Sequence, residues 1–112
     1  MLNVIQYDSK YRDYTNSTGS DIASGQLVHI GGGKIGVAVN AIPNGSKGAL
    51  QISDIVVELP KVGGALTAGG SAAIGTAGNT VTPVTTALTT ITNGFVWQAA
   101  TSAATTVQFA LD

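Results

Sequence analysis

The stretch Leu50-Gln51-Ile52-Ser53-Asp54-Ile55-Val56-Val57-Glu58-Leu59-Pro60 decides the fold of this 112-residue chain. Its β-branched and aliphatic residues read as strand, yet the apolar phase changes midway. Leu50 and Ile52 occupy even positions, whereas Ile55, Val57 and Leu59 occupy odd ones. Side chains alternate across a strand, so a one-residue slip sends every later one to the opposite face. The stretch therefore predicts a β-bulge or a sharp corner at Ser53-Asp54. Pro60 has no amide hydrogen to donate and closes the strand.

Upstream, Gln26 to Ile30 reads as a strand and Gly31-Gly32-Gly33 as a turn. Lys34 to Val39 then returns, with Ile35, Val37 and Val39 on one face. Downstream, Ser71 to Ile74 and Thr80 to Val84 read as two short strands around Ala77-Gly78-Asn79. Pro83 suits an edge position for the second. Gly94 to Gln98 holds Phe95 and Trp97, and Thr106 to Leu111 alternates with Val107, Phe109 and Leu111 inward. No window holds a helical period. The fold class is all-β: a small single-domain β-barrel or sandwich, consistent with 15 glycines and 3 prolines in one short chain. A barrel domain is expected over 25–112, preceded by a polar arm over 1–24.

Composition narrows the chemistry. Hydrophobic residues are 44% of the chain and charged ones only 10%, with a formal net charge of −1. Lys and Arg total 5, too few for the phosphate-neutralising stripe of a nucleic-acid binder. There is no cysteine, hence no disulfide, thiolate nucleophile or cysteine-bound zinc, and the single histidine excludes a multi-histidine metal site. No cofactor is implied. The start lacks the pattern of a secretory signal, and no apolar run reaches the length of a membrane span. From Val62 to Leu111 no residue is charged. Two accounts of that stretch stay open: a surface covered by a partner, or one solvated by its many hydroxyls.

Several motifs resemble chemistry. Gly31-Gly32-Gly33-Lys34-Ile35-Gly36 has the spacing of a dinucleotide fingerprint, but that chemistry needs a helix N-terminus after the glycines. Ile35, Val37 and Val39 alternate as a strand instead, so the glycines read as a hairpin turn. His29 reads as a strand residue; a catalytic role would need a pocket gathering it with Asp13 or Asp54. Asp54 and Glu58, four apart on a strand, lie roughly 13 Å from each other, beyond the ~5–9.5 Å of glycosidase carboxylate pairs. Asn16-Ser17-Thr18 and Asn44-Gly45-Ser46 are glycosylation acceptors in form only. The chain is expected not to be an enzyme.

The N-terminal segment differs from the rest. It is polar and carries Tyr7, Tyr11, Arg12 and Tyr14, the three tyrosines standing at helical spacing. Tyrosine and arginine are enriched at protein interfaces, so these four are the candidate capsid or subunit contacts. The arm packs either on a partner or on its own barrel. Deleting Met1 to Thr15 is expected to leave the barrel folded, its core strands beginning after Gly25.

An ordered set of short elements runs through most of the chain. It comprises Asp13-Tyr14-Thr15-Asn16, Ile22-Ala23-Ser24-Gly25 leading to Val28, Ile35-Gly36-Val37-Ala38-Val39 and Ile42 to Gly48. Val57-Glu58-Leu59-Pro60-Lys61, Leu66-Thr67-Ala68-Gly69 and Ala103-Ala104-Thr105-Thr106-Val107 complete it. In this order they resemble the capsid cement, or decoration, proteins of tailed bacteriophages and prophages, a family formerly described as a domain of unknown function and sometimes labelled recombinase. The resemblance is weakest from Gly70 to Asn93. It implies a small β-barrel that binds the outer surface of a phage head and stabilises the capsid. Its partner would be the major capsid protein, its location the virion exterior after synthesis in the host cytoplasm, and its oligomeric state a trimer by analogy. Nothing in the sequence supports strand exchange. A rival reading is a carbohydrate- or receptor-binding β module on a virion or cell surface, with Trp97 and the tyrosines as stacking platforms.

Overall fold

A computed structural model describes residues 10–76 and 78–112. The described residues form nine strands and no helix: β1 (Tyr11–Thr15), β2 (Leu27–Gly31), β3 (Lys34–Ala38), β4 (Lys47–Gln51), β5 (Ile55–Pro60), β6 (Ala73–Ile74), β7 (Val81–Thr82), β8 (Gly94–Val96) and β9 (Thr106–Leu111). They make three antiparallel sheets, ordered β1-β4-β3-β2, β5-β9-β8 and β6-β7. The all-β expectation holds, but none of the sheets closes into a barrel. Closure would need a ladder between outer strands of different sheets, and the contacts there are single bridges such as Lys61 with Val81.

The phase change at Ser53-Asp54 is a corner at which the chain leaves one sheet for another. β4 ends at Gln51 in the four-stranded sheet, and β5 begins at Ile55 in the three-stranded one. Asp54 turns the chain with a φ of 60°, a conformation that only glycine and short polar residues adopt readily. Its amide donates to the Leu111 carbonyl at 2.9 Å, and the Gln51 side chain donates to the Ser53 carbonyl at 3.0 Å. Beyond the corner Leu59 is fully buried while Val56 and Glu58 face outward, as the alternation requires.

The main core lies between the sheets. Leu27, Ile35 and Val37 of the four-stranded sheet meet Leu59, Val96, Val107, Phe109 and Leu111 of the three-stranded one, with Ile74 and Val81 from the β6–β7 ribbon. A second cluster, Ile22, Val28, Ala38, Ile42 and Leu50, covers the reverse face of the four-stranded sheet. β3 is therefore buried on both faces. This explains its small residues: a Cβ at Gly36 would stand 3.0 Å from Leu50 Cβ. Val39 departs from the expected inward set, because β3 ends at Ala38 and Val39 emerges 42% exposed.

From Tyr11 on, the N-terminal segment takes the second of the two placements left open, against the chain's own domain. Tyr11 to Thr15 pair residue for residue with Gln51 to Lys47, making β1 an outer strand of the chain's own sheet. Ile22 is in the second cluster, so the packed domain reaches back past residue 25. Asn16 is fully buried; its side-chain amide donates to the Ser20 and Ile42 carbonyls, and its Oδ1 accepts from Thr18. Removing Met1 to Thr15 would thus strip a paired strand from the sheet. Polar β1 shows no apolar alternation because most of its side chains are exposed, which is why the sequence reads as an arm.

One local unit recurs, and the sequence reading did not find it. A bridge residue precedes a four-residue turn whose first carbonyl accepts the amide of its last, and the turn leads toward a strand. The turns run from Ala23 to Gln26, Pro43 to Ser46, Thr67 to Gly70 and Thr101 to Ala104, with bonds of 2.9 to 3.1 Å. They lead to β2, β4, β6 and β9. The bridge residues pair reciprocally, Ile22 with Ile42 and Leu66 with Ala100. Gly25, Gly45 and Gly69 supply the positive φ at the third turn position, as a type II turn requires. Three of the four copies coincide with elements that carry the family resemblance: Ile22 to Gly25, Ile42 to Gly48 and Leu66 to Gly69.

Two joints complete the frame. Asn93, buried in a loop, accepts from the Ile35 amide at 2.9 Å and donates to the Ile35 and Ile52 carbonyls at 2.8 and 3.2 Å. It ties the loop before β8 to β3 and to the end of β4. Lys61, only 4% exposed, directs its ammonium to the Gly63 carbonyl at 3.0 Å and the Ala104 carbonyl at 3.5 Å.

Candidate functional site

The four expected contact residues fall in different places. Tyr7 lies outside the described residues. Tyr11, Arg12 and Tyr14 are on β1, where a strand replaces the helical spacing read from the sequence. The ladder with β4 sets their directions. Arg12 opposes Leu50 and Tyr14 opposes Gly48, while Tyr11 opposes Gln51. Arg12 and Tyr14 consequently share the face of the second cluster, against which Tyr14 packs half-buried. Tyr11 projects to the other face, 41% exposed.

The glycine triplet is a turn, as expected. All three glycines have positive φ, and Lys34 opens β3 rather than a helix. His29, half-buried on β2, accepts the Gly33 amide through Nε2 at 3.3 Å and so braces the hairpin. A cleft of about 390 Å³ runs past His29, Tyr14, Asp21 and Gln26. Neither Asp13 nor Asp54 is among its lining residues. Asp54 instead faces Lys10 at 3.8 Å on an exposed corner. The described residues contain no group of three or more His, Asp or Glu side chains placed to hold a metal ion.

The outer face of the three-stranded sheet is a further candidate, whose Phe95, Trp97 and Glu58 the sequence reading met separately and did not bring together. Directly opposed residues of antiparallel strands point the same way. Val56, Ala110 and Phe95 therefore form one row across the sheet. The next outward row is Glu58, Gln108 and Trp97, the Trp97 amide donating to the Gln108 carbonyl at 2.9 Å. Phe95 and Trp97 lie side by side, ring centres 6.1 Å apart and planes tilted by 41°. Trp97 is 53% exposed and Val56 46%. Beside the second row opens a shallow cleft of about 320 Å³ lined by Glu58, Gln98, Gln108 and several alanines and threonines. Sequence alternation could place Trp97 outward only once the inward Val96 and Phe109 were known to pair.

No curated protein matches this chain. The family model for phage cement proteins does match, and it extends from residue 6 to residue 111, so that β1, both clusters, the repeated turns and the outer sheet face all fall inside it. The chain belongs to the phage cement protein family.

Proposed function

We propose that the protein binds the outer surface of a tailed-phage head and holds neighbouring capsid subunits together. The observation that carries this reading is a cement-family match covering nearly the whole chain. Membership gives the chain a structural role in a phage capsid; the outer surface, the clamping and the stoichiometry belong to the proposal. A standard interface of ~1,600 Å² can be as weak as micromolar. Contacts to several neighbours at once raise the effective concentration and tighten the whole. A trimer seated on a local threefold axis of the shell suits that arithmetic. Outer strand β1, with Tyr11, Arg12 and Tyr14, supports contact with a neighbouring subunit by strand addition; Tyr7 belongs to the same proposal.

The test mixes purified protein with heads assembled without it. Co-sedimentation, and heads that release their contents at a higher temperature when decorated, are the expected results. Heads that neither bind the protein nor gain stability would remove the reading. Exposed Trp97 beside a cleft favours one rival, a carbohydrate-binding module. Saturable binding to immobilised glycans, without binding to heads, would replace the first reading with the second.

A further inference from the structure

We infer that the outer face of the three-stranded sheet docks on the shell, and that the cleft beside Glu58 receives an arginine or lysine side chain of the capsid protein. The inference rests on the proposed capsid role and adds the surface, the orientation and the chemistry of the contact.

Charge is divided unevenly over the molecule. Lys10, Arg12, Asp13, Asp21, Lys34, Lys47 and Asp54, all exposed, lie in or around the four-stranded sheet. Beyond Asp54 the charged residues are Glu58, Lys61 and Asp112. Lys61 is buried with its ammonium on two carbonyls, so it presents no cation to a partner. Within the β5-β9-β8 ladder, Glu58 is the one charged side chain pointing outward.

A sheet face turned to water normally alternates to polar and charged residues. This one mixes exposed Val56 and Trp97 and a half-buried Phe95 with Glu58, Gln108 and Thr106, so that two large apolar side chains stand in water beside a single charge. Aromatic residues with charge removed from around them mark the centre of a protein interface, where desolvating an ion would be costly. Such a face left in water promotes self-association.

The lone acid selects the occupant. A second copy docking the same face on itself would bring two Glu58 carboxylates into one desolvated contact with no cation on either side. A capsid protein that contributes one basic side chain satisfies the acid. Its stem can lie along Ala99, Ala100 and Ala104, and its head can reach Glu58 and the Gln108 amide. The exposed ions in and around the four-stranded sheet then lie away from this contact.

The experiment measures binding of full-length protein to undecorated heads at several salt concentrations. Wild type is compared with Trp97→Ala, Glu58→Gln and Glu58→Lys, with Lys34→Ala on the opposite sheet as control. Urea unfolding confirms that each variant is folded; Glu58 is exposed, so its variants remain informative if Trp97→Ala does not fold. Trp97→Ala should weaken binding roughly thirty-fold or more, as a central aromatic anchor does. Glu58→Gln should weaken binding about ten-fold and flatten its salt dependence, Glu58→Lys should weaken it further, and Lys34→Ala should leave it unchanged. No binding by wild type defeats the capsid reading itself. Wild-type binding with folded Trp97 and Glu58 variants equally tight leaves that reading standing and overturns this inference. Variants that lose an oligomer in solution yet still bind heads would make the face a contact between copies, which also overturns it.

Discussion

The two ends of the chain carry the same construction and dress it differently. Residues 10–54 and 55–112 each contain two copies of the bridge-and-turn unit, and in each the two bridge residues clasp one another. The first half surrounds its sheet with exposed ions; the second leaves apolar side chains outward and buries its lysine. The bonding pattern is shared, although Ala103 replaces the positive-φ glycine in the fourth turn. The surfaces are opposite, so the unit belongs to the fold and the surface difference is what the proposed partner contact uses. The difference also locates rigidity: the second half supplies most of the main cluster, while the reverse face of the first is closed by loops that carry Ile22 and Ile42.

The comparison breaks most severely at the shared core. Phe109, fully buried between the sheets, should cost about 3–5 kcal/mol when cut to alanine. Both halves should then lose structure together in a single urea transition. Asn93→Ala comes next, with about 3 kcal/mol, because two backbone carbonyls and one amide of the other half lose a buried partner. Its distinctive sign in hydrogen exchange is earlier opening of the amides near Ile35 than of those in β9. Gly25→Ala and Gly69→Ala sharpen the comparison, since they alter the same turn in different halves. A Cβ at either position meets nothing within 4 Å, so the positive φ alone sets the cost. Each should lower stability by about 1 kcal/mol; unequal losses in thermal unfolding would show that the copies are not equivalent. The smallest effect is expected for Lys10→Ala, whose bond to Asp54 is long and exposed. Less than about 0.5 kcal/mol should be lost, and less still in high salt.

What the sequence revealed depended on whether burial left a one-sided imprint. Leu50 to Leu59 declared its corner because its inward side chains switched from even to odd numbers across a single turn. Thr106 to Leu111 was legible with its true ends, since Val107, Phe109 and Leu111 alternate without interruption. β1 was not legible: a polar outer strand owes its place to backbone bonds with β4, which leave no trace in its composition. The tyrosine spacing misled for the same reason, separating Tyr11 from Tyr14 once a strand replaced the helix. Barrel closure depends on which outer strands meet, and that information is spread over the whole chain. As for the docking face, Trp97 and Glu58 are distant in sequence and become neighbours only through the middle strand β9.

Asn93 also sets a chemical clock. It precedes Gly94, and Asn44 precedes Gly45. In such pairs the following nitrogen can attack the side-chain carbon and expel ammonia to form a cyclic imide, which water then opens to aspartate or its isomer. Asn44 sits in an exposed loop where its oxygen accepts the Gly19 amide and the Gly45 amide donates to the Asn16 carbonyl at 2.7 Å, so it should age through local opening of that loop alone. Asn93 is clamped on both sides of its amide and must be freed before it can react. Each excursion to the unfolded state therefore exposes the residue that joins the halves to irreversible loss. A carboxylate left there cannot donate to the Ile35 and Ile52 carbonyls, so an aged molecule that unfolds once returns with its central joint missing. Durability over long storage is then governed by how seldom the chain opens, and a partner that keeps it closed also slows its ageing.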